Sequence, residues 1–286
     1  MIYPHFIHQV FFWFFGTIGD WFNWNGVKIG KFSAFCSLLF FPTLVYLYVK
    51  FLDKKVMLDK ISSLYFLLNS ILLMMTLGHD LFIGKPYEIY TAIGTILWVI
   101  YLYNDAIKLK WTYKNTLLYG VLAGLMFMVY YLWFIFSAIA FVILGFFTLK
   151  TKKELVLYYW RLFQTMIVTF IIGSPFWFPL LKSYKKFGIE NWQTAFFDGR
   201  GLKLWLPMFS VISYKNILFL IGFCSLIYFR RKKRIQPLVA LFITSFVWWI
   251  IGMLLLLFFN IPFQEFRGFY IFAPIVLLIA CAYGLN

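Results

Sequence analysis

Long apolar runs separated by short polar breaks fill the chain almost from end to end. With boundaries uncertain by a few residues, they cover 32–49, 61–78, 89–105, 116–131, 132–149, 155–173, 216–229, 237–259 and 269–285. A charge-poor run of about 20 residues crosses the hydrocarbon of a bilayer at about 1.5 Å per residue, so the pattern predicts an all-α, polytopic transmembrane helical bundle of about nine spans. The stretch 116–149 is read as two helices, because one helix of that length would be about 50 Å long, well beyond the bilayer core. "MVYYLWF" in its middle supplies the interfacial aromatics expected where the chain turns.

Composition agrees with the pattern. Of the 286 residues, 63% are hydrophobic, 24% aromatic and 13% charged, far from a soluble domain of this size. No separate soluble domain, internal repeat or low-complexity linker is visible, so the expectation is one transmembrane domain over 1–286, complete or a fragment of a longer chain. The net charge of +16 could suggest nucleic acid, but the basic residues sit in clusters between apolar runs. Membrane topology accounts for them better. Cys36, Cys224 and Cys281 lie inside apolar runs, without metal spacing, and are read as buried small hydrophobes with no disulfide.

The clusters orient the chain. Loops 50–60, 106–115, 150–154 and 230–236 hold fifteen of the 26 basic residues, whereas the alternate loops, nearly three times as long, hold ten. Threading nine spans in order puts every dense cluster on one side, which the positive-inside rule makes cytoplasmic. The predicted location is the cell membrane, with the amino terminus and the long loop 174–215 outside and the carboxyl terminus cytoplasmic. Six of the ten acids fall outside: Asp20, Asp80, Glu88, Glu190, Asp198 and Glu265.

Phosphate-cradling glycine loops, HExxH and GxSxG are all missing from the sequence, and the spans are nearly free of ionisable groups, which counts against a transporter or proton pump. Arg161 lies close enough to the cytoplasmic end of its span to snorkel. Polar groups gather instead in the outer loops, where they could serve a lipid-linked substrate: tail in the bilayer, phosphate on interfacial cations, transferred group in water. His79, Lys85, Arg200 and Arg267 are candidates for the donor phosphate. Asp80 and Asp20 are candidate bases, and Tyr3, Glu88, Trp192, Asp198 and Glu265 candidate substrate contacts.

Each has a blander reading. Trp177 and Trp205 flank spans as interface anchors would. Lys182, Lys185 and Lys186 read as a solvated or headgroup-facing run, and "DGR" at 198–200 as a turn. Glu265 and Arg267 could be a local ion pair as readily as a phosphate site. "GVLAG" at 120–124 reads as a close helix-packing motif.

Several segments together carry a family likeness: "YPHFIHQVFFWFFG" at the outer start, "GHDLFIGKPYE", "GVLAGLMFMVYYLWF", "SPFWFPLL" before the long outer loop, and "PFQEFRGF" before the last span. In order and outer location they resemble the GT-C integral membrane glycosyltransferases, most closely the amino-terminal membrane domain of galactan 5-O-arabinofuranosyltransferases, over nearly the whole chain. The resemblance implies transfer of a sugar, arabinofuranose in those relatives, from a polyprenyl-phosphate donor to a cell-surface or cell-wall glycan. An acid would deprotonate the acceptor and cations would stabilise the departing phosphate. Cofactors are expected to be none, and no residue pattern calls for a divalent metal. Nucleic acid is not an expected partner.

The chain departs from the family pattern in two places. His5 stands where the second proline of the YPP element would be, and the family's catalytic acids, upstream of that element, would precede Met1. A fragment is therefore the expectation, with Asp80 and Asp20 the best substitutes. The rival readings are a lipid-linked glycan transporter or flippase-like protein, and an inactive truncated homologue. If Asp80 is the base, Asp80→Asn should abolish sugar transfer while leaving membrane expression unchanged; retained turnover in membranes would remove it.

Overall fold

The structure is a computed structural model. It describes residues 9–36, 111–129, 131–187, 214–233, 235–259 and 272–284, together with positions 92, 94–96, 98–100, 102 and 103. Among these residues every regular element is a helix. In order they are α1 (Gln9–Trp21), α2 (26–36), α3 (Tyr113–Val129), α4 (Tyr131–Thr148), α5 (Lys152–Ile172), α6 (Ser174–Phe187), α7 (Tyr214–Phe229), α8 (Gln236–Phe259) and α9 (Ala273–Gly284). The described positions between 92 and 103 are helical too.

The apolar pattern located most of these elements well. The expected pair over 116–149 is two helices, α3 and α4, and α5, α7, α8 and α9 fall within a few residues of their predicted runs. By length and composition, α5 and α8 are long and apolar enough to cross a bilayer, and Phe134–Thr148 and Asn216–Phe229 are shorter apolar helices. The count of nine spans exceeds what the described helices support by themselves. Two segments differ from expectation. The outer start contains α1 and α2, and the segment read as a loop from 174 begins with α6.

Local chemistry explains the break between α5 and α6. Thr151 caps the start of α5, its hydroxyl accepting the Glu154 N–H at 3.3 Å while the Glu154 carboxylate accepts the Thr151 N–H at 3.3 Å. At the other end the Gly173 N–H closes on Thr169 O at 2.8 Å, and the chain restarts at once. Pro175 lies in the first turn of α6, where its missing N–H costs nothing. Phe176 and Trp177 then donate their backbone N–H groups to Gly173 O at 2.9 and 3.2 Å.

Packing is organised by close parallel pairs. Gly120 and Gly124 of α3 face α5 so tightly that a β-carbon would come within 2.5 Å of Val168 at the first position and 2.6 Å of Ile172 at the second. The Thr169 hydroxyl, bonded to Thr165 O at 2.8 Å, also reaches Gly120 O at 3.3 Å. On the other side of the bundle Gly222 of α7 lies directly against the backbone of Leu277, and Gly284 of α9 against the Ser225 side chain. Between the pairs run the returning helices α4 and α8, joined by Phe136, whose ring centroid is 4.7 Å from Trp248 and 4.9 Å from Phe272. Thr95 reaches Met126 and Trp98 packs on Tyr119, which sets the 92–103 helix antiparallel to α3.

These directions bring the basic segments together. Tyr103 bonds Gln236 at the start of α8, Trp111 packs against Tyr119 and Tyr158, and Phe229 packs against Tyr283. Lys114, Lys150, Lys152, Lys153 and the cluster from Arg230 to Lys233 therefore share one end of the bundle. Gly124→Leu should force α3 from α5 and cost about 1–3 kcal/mol. Gly16→Ala, at a position with nothing within 4 Å, should leave the midpoint of thermal unfolding in detergent unchanged or slightly raised. Equal midpoints for the two variants would refute the packing role.

Candidate functional site

The candidate acid within the described residues is Asp20, at the tip of the α1–α2 hairpin. The turn is built by Asn23 in the left-handed region (φ 51°), a conformation asparagine tolerates. The Trp24 N–H returns to Gly19 O at 2.8 Å. Asn25 then caps α2, its Oδ1 accepting the Lys28 N–H at 3.0 Å. The Ile29 side chain lies directly against Gly19, so the two helices meet where α1 has no side chain of its own. Phe32 closes the hairpin, its ring 6.2 Å from Phe15 and 5.1 Å from Trp24.

Helix stability does not favour an acid there. Asp20 lies in the last turn of α1, where the macrodipole disfavours negative charge by about 0.3–1 kcal/mol at an exposed site. It is exposed, and so are Trp21 (77%) and Phe22 (62%). Phe22 and Trp24 stack with ring centroids 5.1 Å apart and planes 24° from parallel. A carboxylate beside open aromatic faces can take a proton from a hydroxyl while a sugar's C–H face lies on the rings. The aromatic partners were missed as site residues, although the density of rings in "GDWFNWNG" was the available signal.

A second feature occupies the bundle end opposite the basic segments. Phe176 is buried in a cluster with Phe127 and Phe134, its ring perpendicular to that of Phe127 at 5.5 Å. Trp177 and Leu180 complete the contact, and the Trp177 indole donates to Phe170 O at 2.7 Å. Trp177, expected as an interface anchor, thus ties α6 to the end of α5. The other face of α6 exposes Phe178, Leu181, Lys182, Lys185 and Lys186. A basic amphipathic helix of this kind suits a charged surface, and the exposure of these lysines fits the solvated or headgroup-facing reading.

Arg161 has partners within the protein. Its guanidinium lies 3.6 Å from the centroid of the Tyr113 ring and donates to Gln164 Oε1 at 3.2 Å. It joins α3 to α5 at the basic end, a structural task. The cysteines need a correction: Cys281 is buried, but Cys36 is half-buried and Cys224 exposed, because the bundle leaves one face of α7 uncovered. All three are free thiols. Among the described residues no cluster of three metal-ligating side chains occurs.

The remaining predicted site residues, Asp80, His79, Lys85, Arg200, Arg267, Tyr3, Glu88, Trp192, Asp198 and Glu265, lie outside the described residues. The structure therefore places only Asp20 of that set.

An all-helical protein of apolar helices, with one basic end and an amphipathic helix across the other, is the class these features define. Its family follows from comparison of the sequence with known proteins. The family profile described as arabinofuranosyltransferase N terminal matches residues 3–285, and the chain belongs to that family. This relates it to a class of glycosyltransferases through their amino-terminal part. The search of curated proteins returned no match.

Phe176→Ala should release α6 and cost about 3–5 kcal/mol locally. The expected sign is faster proteolysis after Lys182, Lys185 and Lys186, with the cleavage pattern elsewhere unchanged. Unaltered cleavage would separate α6 from the Phe127–Phe134 contact.

Proposed function

We propose that the chain is a multi-pass membrane glycosyltransferase unit of GT-C type that passes a sugar, arabinofuranose by family, from a polyprenyl phosphate to a cell-surface glycan. The observation that carries this reading is the family match over residues 3–285. The gathering of the described basic segments at one bundle end supports a cytoplasmic placement for that end under the positive-inside rule. The opposite end, with the Phe176 cluster and α6, then faces outward at the level of the headgroups.

In this reading the outer polar groups divide by chemistry. Asp80 or Asp20 takes the acceptor proton, and the exposed rings beside Asp20 offer a sugar platform. His79, Lys85, Arg200 and Arg267 neutralise the phosphate as the glycosidic oxygen leaves with its electron pair, the interaction that strengthens most in the transition state. Tyr3, Glu88, Trp192, Asp198 and Glu265 contact the sugar or acceptor. The proposed mechanism uses charge and proton transfer by side chains, with no cofactor assigned.

The test is transfer by membranes expressing the chain, supplied with radiolabelled polyprenyl-phosphate sugars. Label moving from the lipid to a glycan is expected, with polyprenyl-phosphate arabinofuranose the best donor. Lipid that crosses the bilayer with its sugar intact would favour the flippase-like rival. No consumption of any donor by well-expressed protein would overturn the enzyme reading for this chain taken alone.

A further inference from the structure

The helix α5 has two faces of different character. Tyr158, Leu162, Thr165 and Thr169 are buried, Thr165 and Thr169 against Gly120 of α3 and the Tyr158 hydroxyl donating to Phe141 O of α4 at 2.8 Å. On the other side Lys152, Leu155, Val156, Tyr159, Trp160 and Phe163 follow at i, i+3, i+4, i+7, i+8 and i+11 and line an open groove of about 490 Å³. The groove is apolar apart from its mouth, where Lys152 stands at the basic end of the bundle.

Its walls are held in place. The Tyr159 hydroxyl donates to Val142 O at 2.9 Å, and its ring lies 5.6 Å from that of Phe146 on α4. Trp160 and Phe163 stack with centroids 5.8 Å apart and planes 29° from parallel. Both rings are 52% exposed and Val156 is 63% exposed, so no part of the described protein covers them. Glu154, the acid nearest Lys152 in sequence, is occupied in the capping box with Thr151 and lies on the opposite side of the helix from Lys152. Among the described residues, Lys150, Lys152 and Lys153 set the charge at this end of α5.

We propose that this groove seats an anionic phospholipid of the leaflet at the basic end, its phosphate on Lys152 and one acyl chain along Tyr159, Trp160 and Phe163. Dimensions and charge select this occupant. From Lys152 to Phe163 the helix rises about 16 Å, the depth of one leaflet's hydrocarbon. A single cation above an aromatic and aliphatic wall matches a headgroup above its chain, whereas a free phosphate ion would leave the wall unused. The site lies at the end opposite α6 and is separate from the donor chemistry proposed above. It rests on the membrane placement in that proposal.

The experiment uses the full chain in phosphatidylcholine bilayers containing a minority of acyl-brominated lipid, which quenches tryptophan on contact. Brominated phosphatidylglycerol is expected to quench more than brominated phosphatidylcholine at equal mole fraction, with about fivefold preferential occupancy from one interfacial cation. The excess should vanish in Trp160→Phe, which removes the reporter but keeps the wall, and in Lys152→Ala. Circular dichroism checks that both variants keep their helicity.

An excess that survives either substitution, or no excess in the parent chain, overturns the site. Disulfide dimers formed by Phe163→Cys and not by the parent chain, with its own free thiols, at the expense of the quench would make a second copy the occupant instead. Quenching by brominated phosphatidylcholine without any phosphatidylglycerol preference would sink the groove and leave the membrane placement standing. No quenching by either lipid would sink both.

Discussion

Everything in this bundle depends on how closely two helix backbones can approach. Where apolar side chains also contact lipid, apolar surface alone gives little reason for helices to prefer one another, and association relies on dispersion contacts and hydrogen bonds at short range. Gly120 and Gly124 supply the short range for α3 and α5, and the Thr169 hydroxyl adds a bond to the Gly120 carbonyl. Gly222, Ser225 and Gly284 do the same for α7 and α9. Large side chains then fill the space between the two pairs, with Phe136, Trp248 and Phe272 nearly inaccessible at the centre.

This packing determines where charge can go. Because α3 and α5 run parallel, and α7 and α9 run parallel, the helices between them must return, and the short basic connections fall at the same end. Arg161 and Lys232 cover aromatic rings there, Tyr113 for the first and Phe229 for the second. The other end receives the aromatic cluster of Phe127, Phe134 and Phe176 and the helix α6. Under the proposed membrane placement, the separation of the basic connections at one end from the aromatic cluster at the other gives the molecule a direction across a bilayer.

The legibility of the candidate site was uneven for a physical reason. Asp20 could be picked out as an acid in an outer segment, but its two exposed rings and the stacked Phe22–Trp24 pair depend on the turn at Asn23. The helix α6 was read as loop because Pro175, Pro179 and three lysines interrupt its apolar run. It is anchored by Phe176, buried in a cluster with Phe127 and Phe134, a contact invisible to local pattern. Arg161 was read as snorkelling to the interface, whereas the fold seats its guanidinium over the Tyr113 ring, a contact between α3 and α5 that the local pattern does not reveal.

The sequence by itself determined the helical class, the positions of α3, α4, α5, α7, α8 and α9, the packing role of the glycines at 120 and 124, and the family likeness. These follow from apolar run length, residue size and motif order, all local along the chain. Only the tertiary structure decided which helices pair, which face of α5 is covered, that α6 caps the bundle and that the rings around Asp20 stand open. Those outcomes depend on contacts between residues far apart in sequence, where the fit of one side chain against another, and not its hydrophobicity, selects the arrangement.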